Sequence, residues 1–271
     1  MAITNFIPQV WSARLQENLQ KALIFGNICN RNYEGDISQW GDTVHINSLN
    51  DITVRPYDPS VEIEDPEQLS GTDTTLTIDH GAYYNFFIND VDAVQSRTEL
   101  MDAAMRNAAY RLALDAEQYI LSVIKEDAGT KQTITGSLSD PDGVYFMILQ
   151  FKLLLDQNNV PRLNRKLIVP PFVETTLLMD PRFVTGSAEA ADRLENGAVA
   201  RACGFDIYIS PDLTDEIIGM TSDAVTFANQ ITKVDAYRPE KGFCDGVKGL
   251  CLSGAKVIIP EAVMYFKITQ E

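Results

Sequence analysis

Apolar residues recur every third or fourth position between Met101 and Ile124. Met101, Ala104, Met105, Ala108, Leu112, Ala116, Tyr119, Ile120, Val123 and Ile124 take one face. Asp102, Arg106, Asp115, Gln118, Ser122 and Lys125 take the other. That is the period of an amphipathic helix. Ser96-Arg97-Thr98-Glu99 ahead of it has the pattern of a capping box, and Gly129 is its stop. Such a helix is roughly 48 Å long. It is too long for a small domain to cover on every side, so it reads as a spine.

Two segments before the spine alternate with period two, Thr43-Val44-His45-Ile46-Asn47 and Thr75-Leu76-Thr77-Ile78-Asp79. Between them lies a long polar tip with Asp58-Pro59, Glu62, Glu64, Asp65-Pro66 and Glu67. The simplest object with this pattern is a two-stranded ribbon projecting from a body. An isolated ribbon is marginal in water, so it should lie on something else, and a second copy of the chain is the expected surface. Trp11, Leu15, Leu19, Ala22 and Leu23 place a helix in an N-terminal arm, with Gly26 as its stop.

From Ser139 the texture changes to short alternating elements. Asp140-Pro141 starts a helix whose face is Val144, Ile148, Phe151 and Leu155, and Asn158-Asn159-Val160-Pro161 ends it. Leu167-Ile168-Val169 reads as a buried strand. Pro170-Pro171 opens a helix through Leu178, broken at Asp180-Pro181. Gly186 to Cys203 reads as a loop rich in small residues. Phe205–Ser210, Val225–Ala228 and Ala262–Ile268 read as strands, whereas Phe243, Val247, Leu250 and Cys251 fit one helical face.

The formal charge of −16 is unevenly spread. Residues 1–40 carry three bases and three acids, residues 41–92 one base (Arg55) and eleven acids, and residues 93–271 18 bases and 24 acids, hence 0, −10 and −6. Most of the excess sits on the ribbon. This balance argues against gripping nucleic acid by phosphate neutralisation, which needs clustered Lys and Arg. It is compatible with a wall that repels nucleic acid without binding it. The four cysteines, Cys29, Cys203, Cys244 and Cys251, lack zinc-ligand spacing and read as buried free thiols. The start of the chain lacks the pattern of a signal peptide, and no stretch is apolar enough to span a bilayer. The expectation is a protein made in a reducing cytoplasm that stays in solution.

No set of residues assembles a catalytic pattern. His45 and His80 flank the ribbon and could bind a metal with Asp79, but they read more simply as polar strand residues. Gly242, Gly246, Gly249 and Gly254 with Lys248 do not spell a phosphate loop, and the stretch reads as a helix with flanking turns. Glu62-Ile63-Glu64-Asp65-Pro66-Glu67 lacks the spacing of a calcium loop. Asp140 and Asp142 are a helix cap and a turn before they are an acid–base pair. No cofactor, metal or catalytic residue is expected.

The order of parts resembles the major capsid protein of tailed bacteriophages, the HK97-like fold. The resemblance rests on residues 8–29 (Pro8-Gln9-Val10-Trp11 through Phe25-Gly26-Asn27), on Gly41-Asp42-Thr43-Val44-His45-Ile46, and on Asn196-Gly197 followed by Gly204-Phe205-Asp206-Ile207-Tyr208-Ile209-Ser210-Pro211. It implies an α+β protein with an N-terminal arm (1–40), an extended loop called the E-loop (41–81), a peripheral domain with the spine helix (82–138) and an axial domain (139–271), some of whose strands return to the peripheral domain. It implies a virion protein assembled in the host bacterial cytoplasm, through pentamers and hexamers, into an icosahedral shell around double-stranded DNA. The implied partners are other copies of itself, a separate scaffolding protein in place of the long N-terminal extension the chain lacks, decoration proteins and a portal. No membrane is involved.

On this reading the ribbon residues Arg55, Glu62, Glu64 and Glu67 meet a neighbour. The acceptors are Arg97, Arg106 and Arg111 on the spine, or Arg14 and Arg31 on the arm. Glu189, Asp192, Arg193, Glu195 and Asn196 line the loop at the capsomer centre. An encapsulin-like compartment shares the fold and is the alternative. A tail-tube protein leaves the spine unexplained, and a metal-dependent α/β enzyme lacks a constellation.

Overall fold

The computed structural model describes residues 23–34, 39–49, 52–54, 71–89, 93–135, 141–180, 201–239 and 244–269. Eleven strands, four α-helices and a 3₁₀ turn are described there. The spine is helix α2, Ala93–Asp127, 35 residues and about 52 Å long. It begins before Ser96, so the capping-box residues lie within its first turns and Ser96 is not its cap. Gly129 follows the helix where the chain crosses Pro260; a Cβ there would lie 2.3 Å from the Pro260 carbonyl oxygen.

Three sheets form. Strands β1 (Thr43–Leu49) and β2 (Gly71–Thr77) pair antiparallel in register Thr43↔Thr77 to Leu49↔Gly71, which is the ribbon. Strand β3 (His80–Asn89) is the edge of a three-stranded antiparallel sheet, β3-β10-β9, with β9 at Val225–Tyr237 and β10 at Cys244–Val257. The third sheet runs β4-β11-β8-β5-β7-β6, with β4 at Thr130–Thr135, β5 at Arg165–Val169, β6 at Arg201–Ala202, β7 at Phe205–Ile209, β8 at Glu216–Thr221 and β11 at Val263–Thr269. It is mixed: β4 with β11 and β5 with β7 are parallel, the remainder antiparallel.

Helix α3 (Pro141–Gln157) lays Val144, Ile148, Phe151 and Leu155 into the core, all fully buried. Phe151 packs on Phe266 with ring centroids 4.1 Å apart, and Gly219 of β8 leaves the space for that ring. A Cβ at Gly219 would lie 2.7 Å from Phe151. Asn159, at φ 55°, turns the chain after α3. Buried Arg165 then ties the turn to β5, reaching Asp156 at 2.7 Å and the carbonyls of Val160 and Pro161. Helix α4 (Pro171–Met179) starts on Pro170-Pro171 and buries Val173 and Leu177. One continuous core joins α2, α3, α4 and both larger sheets.

The helix expected over Phe243–Cys251 is instead strand β10. Its inward positions Val247, Gly249 and Cys251 alternate properly, but glycine stands where the period-two signal needs an apolar side chain. Glycine is required there because aromatic rings cover the strand. A Cβ at Gly249 would lie 2.5 Å from the Tyr84 ring, and one at Gly246 2.7 Å from the Tyr237 ring. Gly26 does not end a helix: it lies inside helix α1, Phe25–Ile28. The rest of the arm helix, Trp11 to Ala22, lies outside the described residues, as does the loop from Gly186 to residue 200. Cys29, Cys244 and Cys251 are buried thiols, whereas Cys203 is only half-buried, at a turn with φ 51°.

Candidate assembly interface

Three layers stack around the sheet β3-β10-β9. Alternate residues of its strands point to opposite sides. Ala82, Tyr84 and Phe86 of β3, with Val247, Cys251 and Ala255 of β10, pack on the core that holds α2. On the other side, Leu252 of β10 and Ala228 of β9 join Ile46, Leu76 and Ile78 in a second, smaller core. The ribbon root therefore sits on the sheet face opposite the spine. Hydrogen bonds from Gly41 N to Ile78 O (3.0 Å) and from Ile78 N to Asp42 O (3.1 Å) close the root. Gly41 adopts φ +84°, and the Trp40 ring lies over Gly81.

The root is clamped to the spine at its edge. His80 reaches Asp115 of α2 at 2.6 Å and stacks on Tyr119, ring centroids 4.3 Å apart. The Tyr119 hydroxyl donates to Asp79 at 2.6 Å. Burial, and then the Asp79 carboxylate, push the Tyr119 hydroxyl well above its ordinary range. His45 is elsewhere, against Asp73 on the neighbouring strand at 2.8 Å. The two histidines thus serve separate contacts, and the described residues hold no cluster of metal ligands.

A second clamp holds the arm. Glu117 of α2 is 3% exposed. Its carboxylate accepts the backbone N–H groups of Ile24 (2.8 Å), Phe25 (2.9 Å) and Gly26 (3.2 Å) at the start of α1. Burial raises its pKa to about 7, against the pull of those three donors, and Asp212 adds to the rise. The sequence reading did not single out Glu117, although it is an acid in phase with the buried positions Ala113, Ile120, Leu121 and Ile124. A chain position of that kind needs a partner.

Among the described residues, the ribbon root covers the outer face of the three-stranded sheet at one end only. At the other end Tyr83 is 78% exposed, Phe87 61% and Leu250 38%. Leu250 pairs with Tyr83 and Lys233, and Lys248 with Asn85 and Asp235. Tyr237 crosses this face, donating to Asn85 at 2.7 Å, with Lys248 5.6 Å from its ring centroid. Lys233 pairs with Asp235 at 3.2 Å. The face carries two lysines against one aspartate among these residues. Sequence reading missed it because Tyr83, Tyr84, Phe86 and Phe87 make both sides of β3 aromatic, which hides the alternation.

Of the expected contact residues, Arg31 pairs locally with Glu34 at 2.6 Å. Arg106 and Arg111 lie exposed on α2. Arg97 lies on α2, its side chain outside the described part. Arg14, Arg55, Glu62, Glu64, Glu67, Glu189, Asp192, Arg193, Glu195 and Asn196 fall outside the described residues. Where the chain re-emerges from the last group, Arg201 and Lys166 converge on Asp206 at 2.5 and 2.8 Å. Lys166, then Arg201, hold that carboxyl below its usual range.

A body of layered sheets with a spine on one face and a projecting ribbon on the other defines a shell-building subunit. The chain belongs to the phage capsid protein family, whose model matches residues 76–257. The fold is HK97-like, and the protein is a structural component of the virion shell rather than an enzyme. Similar solved structures include one titled Mycobacterium phage Che8 (28% identity, 90% of each chain, TM-score 0.74). The capsid of the cyanophage P-SCSP1u is 15% identical over 92% of this chain and 89% of that one, TM-score 0.69. A virus-like particle from Pyrococcus furiosus is 13% identical over 96% and 98%, TM-score 0.61. No curated protein matches the sequence.

Proposed function

We propose that the protein is the major shell subunit of a tailed bacteriophage, assembling through pentamers and hexamers into an icosahedral shell around double-stranded DNA. The observation that carries this reading is the ribbon: two strands paired only with each other among the described residues, rooted in a five-residue core and charged −10 over residues 41–92. Such a ribbon finds its remaining contacts on a neighbour. Many weak repeated contacts suit a closed lattice whose errors must be reversible. The arm (1–40), E-loop (41–81), peripheral domain (82–138) and axial domain (139–271) are the proposed division of labour, with residues 189–196 at the capsomer centre. A separate scaffolding protein, decoration proteins and a portal are the proposed partners, and the host bacterial cytoplasm the site of assembly.

The likeness to the Pyrococcus furiosus particle, at 13% identity, concerns the fold alone. Electron microscopy of the purified protein, expressed with and without a scaffolding partner, tests the proposal. Closed shells with pentameric and hexameric units are expected. Nuclease-protected DNA supports the capsid reading, and protein cargo in its place supports an encapsulin-like compartment. A strictly monomeric chain at every concentration and salt refutes both.

A further inference from the structure

We propose that His80, held between Asp115 and Tyr119 of α2, is a protonation latch: charged, it ties the ribbon root to the spine, and neutral, it lets the root swing. Such a latch belongs to the single subunit and works before any assembly. Ile78 and Asp79 link the ribbon strand β2 to β3, which begins at His80. Asp79 and His80 both reach α2, where their partners stand one turn apart. His80 Nε2 lies 2.6 Å from Asp115 Oδ2, and the imidazole lies nearly flat on the Tyr119 ring, 12° between planes. Tyr119 donates to Asp79 and accepts the Ala255 amide at 3.4 Å. The root's other described ties, the hydrogen bonds of Gly41 and Asp42 and the five-residue core, run to the ribbon and the sheet instead of to α2.

The charges around this joint do not balance. Asp79 and Asp115 bring two carboxylates. Tyr119 stays neutral, because burial and then Asp79 raise its hydroxyl. From β10 come Ser253, the register partner of His80, and the buried Cys251 thiol. Burial, and then Asp115, push that thiol up to about 12, so it too is neutral. Lys256 of β10 is taken up by Asp127 at 2.7 Å, and Arg111 lies exposed one turn before Asp115. Among the described residues, no lysine or arginine pairs with Asp79 or Asp115. His80 is the described side chain that can bring a positive charge against them.

Histidine changes charge between pH 5 and 8. Protonated His80 makes a charge-assisted bond to Asp115 and sets a cation on the face of Tyr119. Neutral His80 keeps one ordinary hydrogen bond and leaves both carboxylates uncompensated. The latch is therefore complete in acid and weakens as rising pH removes the proton. The chain's other histidine, His45, pairs with Asp73 across the ribbon itself and serves as the control.

Hydrogen exchange of the full-length chain, kept unassembled at low concentration, tests this between pH 5.5 and 8. Protection factors remove the intrinsic pH dependence of exchange. Relative to the amides of the central strand β8, those of Gly41 and Ile78 should lose about tenfold protection across this range. His80→Gln retains a hydrogen-bonding group without a titrating proton, and its profile should be flat. Asp115→Asn should flatten the profile as well. His45→Gln and Glu117→Gln should keep the step, since the first acts within the ribbon and the second on the arm. A flat wild-type profile, a step that survives in His80→Gln, or one that vanishes in His45→Gln or Glu117→Gln overturns the proposal. If His80→Gln does not fold, a step of unchanged size in Asp115→Asn overturns it.

Discussion

Replacing Glu117 with glutamine removes a buried ionisable group and leaves its shape. The group's pKa rises from 4.5 to about 7 in the folded chain. A raised carboxyl pKa means that the folded state holds the proton more tightly than the unfolded one. Its stability contribution is thus complete below about 4.5 and is lost as pH rises through about 7. At about 1.4 kcal/mol per pH unit this amounts to about 3 kcal/mol between pH 4.5 and 8. In a domain this size that corresponds to about 6–12 °C in melting temperature.

Glutamine keeps an acceptor for two of the three amides but turns an NH₂ towards the third, at a cost of about 1–3 kcal/mol. The difference between wild type and Glu117→Gln should therefore favour wild type most at pH 5 and shrink by pH 8. Urea melts of unassembled subunits at several pH values measure it, because the remaining carboxylates contribute equally to both chains. Hydrogen exchange at Phe25 and Gly26 provides the local check: Glu117→Ala should abolish their protection. Parallel pH curves for wild type and the glutamine variant, with those amides still protected in the alanine variant, would refute the account of Glu117 as a buried clamp on the arm.

Other outcomes follow from packing and charge. Phe151→Ala should destabilise the subunit by about 3–5 kcal/mol, since the ring fills the space between Phe266 and Gly219, and Gly219→Ala should cost about 1–3 kcal/mol by overpacking; urea midpoints check both. Tyr119→Phe should free Asp79 and loosen the ribbon root by about 1 kcal/mol, seen as faster exchange of the Ile78 amide. A single Glu64→Lys should be nearly silent in assembly, because an exposed pair contributes only about 0–1 kcal/mol. No lysine occurs between Lys21 and Lys125, so the ribbon offers no amine for an isopeptide bond. Particles boiled in denaturant and reductant should run as one band near 30.1 kDa; a ladder of cross-linked species would contradict this.

Elements whose faces differ sharply were legible in the sequence. The spine and the ribbon strands read from periodicity, β5 and β11 from their apolar runs, and α3, α4 and β7 also from Pro or Asn at their ends. β10 was misread because its glycines accommodate rings from Tyr84 and Tyr237, which are distant in sequence. β3 and β8 were not singled out. One is aromatic on both sides, and the other, Ile217-Ile218-Gly219-Met220, is buried on both sides. The footing of the ribbon was only half legible. Net charge located the ribbon, but the side of the sheet on which it lies depends on strand parity in residues 225–257. Arg106 and Arg111 lie exposed on α2, on the side of the sheet away from the ribbon root of the same chain, a placement that charge alone does not give.

Strand β11 does not finish its sheet at an edge. It slots between β4 and β8, some 130 residues after the former and some 40 after the latter. During synthesis β4, β5, β7 and β8 leave the ribosome before the strand that joins β4 to the others exists. The six-stranded sheet can close only when Val263–Thr269 has emerged, and β3 likewise waits for β10. Pairings this distant in sequence form slowly, and until then β4 and β8 present unsatisfied edges. Nascent chains crowded on polysomes would be most prone to stick in that interval. On the proposed function, the same topology would make the body ready for lattice contacts only after its last strand has been translated.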